Sequence, residues 1–303
     1  MFESVRELAD FQDEPKQLAS GSFGKNALVR LGFEPRENRS VLATLHRRAP
    51  LIVQQALYWD DEMPGLPCVA IISNSGGILQ GDRNVIEIGM APGSQAHVTT
   101  QAATRIHEMD ANFATQVQTI TLGEGAYLEY VPHPIIPFKN SRFLQTTSIC
   151  IDATATLIYS DILMSGRKYY GAGEAFAYDV FSSTVRAERP DGSSLFTEKF
   201  VVEPRRGGGV SRLGAMGPFH VFGNVIVLTP KQHADRLFEL AEAGCDEAAE
   251  LAFGASRLPY DAGLVFKVLG MESAPVSAHV RRIWSCVRQE VAGARLPENF
   301  LWA

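Results

Sequence analysis

From about residue 26 to residue 228 the sequence alternates apolar and polar residues with a period of two. In NVIEIGM (84–90), Ile86, Ile88 and Met90 share one face. RFLQTTSICI (142–151) puts Phe143, Ile149 and Ile151 on one side, with Gln145 and Thr147 between them. AYLEYV, TLIYSDIL, AYDVFSSTV and NVIVL read the same way. Successive side chains of a strand point to opposite faces, so this period is the signature of half-buried strands. The segments are rich in β-branched and aromatic residues and are bounded by Gly, Pro, Asn or Asp. ERPDGSS (188–194) is a turn signal between two of them. Strand follows strand with no helical pattern in between, which predicts an all-β body rather than βαβ units.

Helical spacing comes late. Thr229-Pro230-Lys231-Gln232 carries a cap residue, a proline start and a Gln three residues after the cap, a capping box. Ala234, Leu237, Phe238 and Ala241 supply its apolar stripe and Gly244 a stop. A shorter helix is predicted over 246–253, a strand over 263–270 and a last helix over 275–291. In that helix Val280, Ile283, Trp284, Val287 and Val291 recur at helical spacing, as a core face. RRGGGVSRLGAMGP (205–218) is a Gly-rich basic stretch expected to be a mobile loop. No internal repeat or linker divides the chain. The expectation is a single domain over 1–303: an N-terminal extension (1–25), a β body (26–228), then helices plus a strand (229–303).

Composition excludes several classes. The 303 residues include 46% apolar and 20% charged residues, with a net charge of −6. That balance suits a soluble globular chain and argues against a nucleic-acid or anionic-membrane surface. No apolar run approaches the roughly 20 residues needed to span a bilayer. The start, MFESVRELADFQDEPK, is acidic and lacks the apolar core of a secretion signal, so the expected compartment is the cytoplasm. Cys68, Cys150, Cys245 and Cys286 are far apart, with no CxxC and no Cys/His cluster. They are expected to be buried thiols rather than zinc ligands or disulfides.

The stretch NSGGILQGDR (74–83) resembles the first half of a phosphate-binding loop, with Gly76 and Gly81 at the right spacing. Lys and Ser or Thr should follow, but Asp82 and Arg83 do, and then another strand pattern instead of a helix. Asp82 would repel a phosphate. Two readings remain: a tight strand–turn–strand in which Gly76, Gly77 and Gly81 serve the backbone and Asp82 bonds the turn, or a loop that presents Asp82 to a ligand or partner.

Other constellations are sparse. There is no GxSxG elbow, no HExxH and no GxGxxG before a helix. The seven histidines include no pair at metal-ligand spacing. RIHEMDAN brings His107, Glu108 and Asp110 together, a weak cluster for a borderline metal, or a solvated polar turn. His133 lies between two prolines in VPHPIIPF. SGRKYYGAGEAF (165–176) gathers Arg167, Lys168, Tyr169, Tyr170 and Glu174 around three glycines. That composition suits a recognition surface or a strand crossing with a snorkelling arginine.

Together the segments resemble the UreD (also called UreH) urease accessory proteins. The resemblance rests on HRRAPLIVQQALYWD (46–60), NSGGILQGD (74–82), HVTTQAATRIH (97–107), GAYLEYVPHPIIPFKNSRF (125–143), GRKYYGAGEAF (166–176) and the ending GLVFKVLG…RRIWSCVRQEVAG…LPENFLWA. It runs in order from about residue 26 onward. Many relatives carry Pro where this chain has Ser75, Lys where it has Arg105, and Glu where it has His133.

The resemblance implies a β-helix-like stack of many strands with a small helical portion, and a non-enzymatic role in urease maturation. Family members dock on the urease apoprotein and bind UreF, which recruits UreG, so that nickel reaches the urease active site. They are associated with weak nickel binding and an internal passage. No tightly bound cofactor is then expected, only transient nickel. Asp82 and Glu174 are candidate transient ligands, and Arg105 and Arg167 are further candidates for partner or nickel-path contacts. Two competing expectations stand beside this one: a β-helical carbohydrate-active enzyme using Glu174 near Tyr169 and Tyr170, and a β-structured binding module with no metal role.

Overall fold

The computed structural model describes residues 5–13, 26–206, 210, 216–248 and 250–298. Among the described residues fifteen strands precede the first α-helix: β1 (Asn26–Arg36), β2 (Arg39–Arg48), β3 (Leu51–Ile52), β4 (Cys68–Ser73), β5 (Arg83–Met90), β6 (Gln95–Thr100), β7 (Thr104–Ile106), β8 (Ala114–Leu122), β9 (Tyr127–Tyr130), β10 (Ile135–Pro137), β11 (Arg142–Ile151), β12 (Thr156–Met164), β13 (Val180–Glu188), β14 (Ser194–Val202) and β15 (Val221–Leu228). Helix α1 (Lys231–Leu240) follows, then β16 (Gly244–Asp246), β17 (Leu251–Arg257), β18 (Gly263–Gly270) and helix α2 (Ser273–Ala292).

The protein is mainly β, as the alternation predicts. One sheet has seven strands in the order β14-β13-β11-β8-β5-β1-β2. The other has eleven, with β16-β17-β18-β15-β12-β9-β6-β4-β3 as its main path and β10 and β7 branching from β12. From β5 to β13 the chain passes back and forth between the two sheets, and β5, β6, β8, β9, β10, β11, β12 and β13 each pair in parallel with an earlier strand. Parallel neighbours cannot be joined by a hairpin, and here most of their connections run through a strand of the other sheet. The antiparallel pairs lie at the flanks, β1·β2, β3·β4, β13·β14 and β12·β15·β18·β17·β16.

Between the sheets lies a core that includes Ile86, Ile88, Met90, Ile149 and Ile151 on one side and Leu128, Leu157 and Tyr159 on the other. The second sheet is buried on both faces. Its outer residues Ile158, Ile162, Val225 and Val227 pack with Val276, Val280, Ile283, Trp284 and Val287 of α2, so the helical stripe is a core face. Residues Arg6–Phe11 form a 3₁₀ turn against the first sheet, with Leu8 buried beside Phe113, Leu144 and Val180.

Three local expectations are corrected. The short helix over 246–253 is instead the β16–β17 hairpin. β18 would otherwise present an open edge of unpaired backbone groups, and β17 satisfies them, Ala252 to Ala255 running beside Leu269 to Phe266. The capping box does not form. Pro230 holds the cap position of α1 without a side-chain cap bond, and the Thr229 hydroxyl pairs with Thr156 at 2.8 Å instead. Of the cysteines, Cys68 is buried, Cys150 is intermediate, and Cys245 and Cys286 are exposed, because they sit on the edge hairpin and on α2. Residues 207–209 and 211–215 of the Gly-rich basic stretch lie outside the described residues.

Candidate functional site: a polar cavity between the sheets

Period-two burial places every second residue of β5, β8 and β11 in the interior, and not all of those residues are apolar. Asn84, Gln116, Gln145 and Ser183 are mutual partners across β5, β8, β11 and β13 and form one polar row. The next row holds Ile86, Gln118, Thr147 and Val185. On the facing sheet Asp161, Asn224 and Lys267 pair across β12, β15 and β18. The rows enclose a cavity of about 160 Å³, lined among others by Asn84, Gln116, Gln118, Tyr130, Gln145 and Asp161. A second space of about 20 Å³ adjoins it, with Asp161 and Ile135 in both walls and Ser183, Glu198 and Asn224 beyond. The larger volume accommodates several waters and the smaller about one.

The interior polar groups are tied to each other. The Tyr130 hydroxyl donates to Gln118 Oε1 at 2.5 Å, and Gln118 Nε2 donates to Thr147 Oγ1 at 2.9 Å. Gln145 Nε2 donates to Asp161 Oδ2 at 3.0 Å, and the Tyr159 hydroxyl donates to the same oxygen at 2.7 Å. Burial pushes the Asp161 carboxyl up to about 6, against the hydrogen bonds from Tyr159 and Gln145. At the far end Lys267 Nζ bonds Glu198 Oε1 at 2.5 Å and Asn224 Oδ1 at 2.9 Å. Asn84 is 3% exposed, and its Oδ1 has no hydrogen-bond partner among the described residues. Such a group costs free energy unless a ligand or water meets it.

The cavity opens where its lining residues are exposed, at Ser73, Gly76, Gln101, Ala102 and Arg105. The glycine loop is therefore its rim. Gly76 and Gly81 have φ of +77° and +76°, the left-handed region that favours glycine. Gly77 is needed for space: a Cβ there would stand 2.5 Å from the Arg105 carbonyl oxygen and 2.8 Å from the His107 ring. Asp82 is fully buried and does not line the cavity. Its Oδ2 accepts the Leu79 amide at 2.9 Å, its own amide donates to the Leu79 carbonyl at 3.1 Å, and its carbonyl accepts Thr115 N–H at 2.9 Å. This geometry has Asp82 bonding the turn. His133 also lines the mouth, and burial lowers its pKa, aided by the charge of His97.

The remaining sequence candidates lie elsewhere. Glu174 is held by Arg167 in two bonds of 2.7 Å, and Arg167 stacks over Phe138 and Tyr170 at 4.0 and 3.8 Å. His107 turns its ring toward Phe138, 5.0 Å away, with Nε2 buried and unpartnered among the described residues. Asp110 is exposed, and its amide donates to Gln80 at 3.1 Å. Among the described residues no group of three or more His, Cys, Asp or Glu could hold a metal ion. Asn84, Gln116, Gln118 and Asp161 belong to no sequence motif. The signal was the parity: Asn84 is in phase with Ile86, Ile88 and Met90, and polar residues at inward positions mark a wet interior.

The sequence model described as "UreD urease accessory protein" matches residues 25–303. The chain belongs to the UreD family. A relative named "Urease accessory protein UreD 2" from Brucella suis biovar 1 is 71% identical over 303 residues, covering all of both chains. "Urease accessory protein UreD" of Photorhabdus laumondii is 53% identical over 296 residues, 98% of this chain and 92% of the relative. A protein of the same name from Yersinia pseudotuberculosis is 52% identical over the same span. Membership in UreD gives the chain a role in urease maturation. Among the described residues no helix is long and apolar enough to cross a membrane.

Proposed function

We propose that the chain is a non-enzymatic, cytoplasmic scaffold that docks on the urease apoprotein, binds UreF and through it UreG, and lets nickel pass through its interior as cargo. The observation that carries this reading is the polar cavity that leads from its exposed rim to the in-register row Asn84, Gln116 and Gln145 and the facing Asp161. A wet corridor inside a β sandwich has a stability cost, and an ion in transit gives it a use. Among the described residues its lining contains amides, hydroxyls, the guanidinium of Arg105 and one imidazole, His133, at the mouth, and a single carboxylate, Asp161, with no cysteine. Such donors exchange a divalent ion quickly, whereas a thiolate and imidazole cage would retain it. No tightly bound metal is part of this proposal.

The carbohydrate-enzyme reading is disfavoured by the same wall. Glycoside cleavage needs a pair of carboxyl groups across the bond, and the larger cavity has one, while Glu174 is neutralised by Arg167.

The test is complementation of a deletion strain at limiting nickel, with pull-down of urease and UreF. Asp161→Asn is expected to keep both partners but lower urease activation. Wild-type activation by this variant would sink the passage. Failure of the wild-type chain to retain either partner would sink the scaffold. Asp82→Ala and Glu174→Ala that mature urease at the wild-type rate would remove those two residues as ligands.

A further inference from the structure

The cavity mouth is continuous with a surface that the passage does not use. Arg105 on β7 pairs with Ile136 on β10, and the Ile106 carbonyl accepts the Phe138 amide at 2.8 Å. The Phe138 ring carries Arg167, and Arg167 carries Tyr170. Tyr169 and Tyr170 are 79% and 59% exposed. They are nonetheless held in place, Tyr170 by the Arg167 stack and Tyr169 by its hydroxyl on Glu272. Exposed tyrosines fixed beforehand lose little entropy on binding and are frequent anchors of protein interfaces.

The cations beside the tyrosines are held in ion pairs, and the one at the cavity mouth is not. Arg167 is neutralised by Glu174 and Lys168 by Glu272. Arg105 is exposed, and its guanidinium has no ion pair among the described residues. The residues around the opening include no carboxylate. An uncompensated cation at the entrance of a cation passage repels the cargo.

We propose that the surface from Arg105 to Tyr169 and Tyr170 docks a partner protein that presents a carboxylate to Arg105. The proposal rests on the passage reading above. Docking does two things at once: the tyrosines supply contact area, and the partner's Asp or Glu neutralises Arg105, so the entrance admits a cation only when the partner is seated. A planar guanidinium binds a carboxylate in two parallel bonds, which also fixes the partner's orientation.

The probe is the assembly of urease apoprotein with UreF, co-expressed with the tagged full-length chain. Arg105→Glu is expected to reduce retention of the assembly on the order of tenfold or more, with Arg105→Lys close to wild type. Tyr169→Ala with Tyr170→Ala is expected to weaken retention as well. The thermal midpoint of Arg105→Glu should equal that of wild type, because this side chain has no internal ion pair to lose. Equal retention of Arg105→Glu and wild type overturns the docking proposal alone. Faster nickel incorporation by Arg105→Glu also overturns it, since the arginine would then be only a barrier. If the wild-type chain is not retained, the maturation reading falls and this proposal with it.

Discussion

Arg288 on α2 holds Glu129 on β9 in two parallel hydrogen bonds, Nε to Oε1 at 2.7 Å and Nη2 to Oε2 at 2.9 Å, with neither side chain exposed. Arg288 Nη1 reaches Asp60 at 2.5 Å, and Glu129 also meets His97 at 3.1 Å and the Tyr127 hydroxyl at 2.8 Å. Trp284 stacks on His97 with ring centres 5.0 Å apart. The cluster clamps α2 to β6 and β9, the two strands that lead into the Thr100–Arg105 and Pro132–His133 segments of the cavity mouth. Removing one partner of a buried ion pair strands the other charge. Arg288→Ala is therefore expected to destabilise the fold by roughly 3–5 kcal/mol, measured by urea unfolding.

The same cluster sets an acid limit. Burial alone would push the Glu129 carboxyl up, but the His97 and Arg288 hydrogen bonds outweigh it and hold the group at about 2, against an ordinary value of 4.5. A carboxyl whose folded pKa is depressed contributes stability above its unfolded value and loses it as pH falls through the folded one. Thermal midpoints should thus decline between pH 4.5 and 2. Glu129→Gln should be less stable at neutral pH and show a flatter acid slope. An unchanged slope would remove Glu129 from the account.

Asp161 has the opposite sign. Its folded value near 6 lies above the ordinary 3.8, so between those limits the native state binds more protons than the unfolded chain. Stability from this group is present below 3.8 and is lost as pH rises toward 6. Asp161→Asn should therefore raise the thermal midpoint at pH 7 and have little effect below pH 4, while urease activation at limiting nickel falls. A variant equally destabilised at both pH values would show Asp161 to be a structural hydrogen-bond acceptor only.

The rim of the cavity separates two kinds of glycine. Gly77→Ala drives a Cβ into the β7 backbone and is expected to cost more than Gly76→Ala, where only the left-handed φ is penalised, at about 1 kcal/mol. Asp82→Asn keeps an oxygen acceptor for Leu79 and should retain most of the stability that Asp82→Ala loses, about 1–3 kcal/mol. Chemical denaturation of the four variants checks the order. If Asp82→Asn is as unstable as Asp82→Ala, the carboxylate charge matters beyond the turn.

Much of the architecture was legible one segment at a time. β5, β11, β12, β15 and β18 announce themselves by parity, and the α2 stripe by its spacing. The hairpin at Gly244–Arg257 was not legible, because its alanines and glutamates favour a helix and only the open edge of β18 makes a strand the better partner. The clamp was hidden for a related reason. Asp60, His97, Glu129 and Arg288 are far apart along the chain, and no local pattern brings them together. For the cavity, the polar residues at inward positions were visible in the sequence, but their alignment into one row was not.

The sequence by itself determined the strand-rich body, the late helices and the family, because each depends on residues close together in the chain or on their order along it. Only the tertiary structure decided that Asn84, Gln116, Gln145 and Asp161 share one cavity, that Asp82 ties the turn and stays out of it, and that Arg105 stands at the opening. Those relations depend on register between strands about thirty residues apart. Register is set by how two whole sheets pack, and a one-residue slip would turn the polar row to the other face.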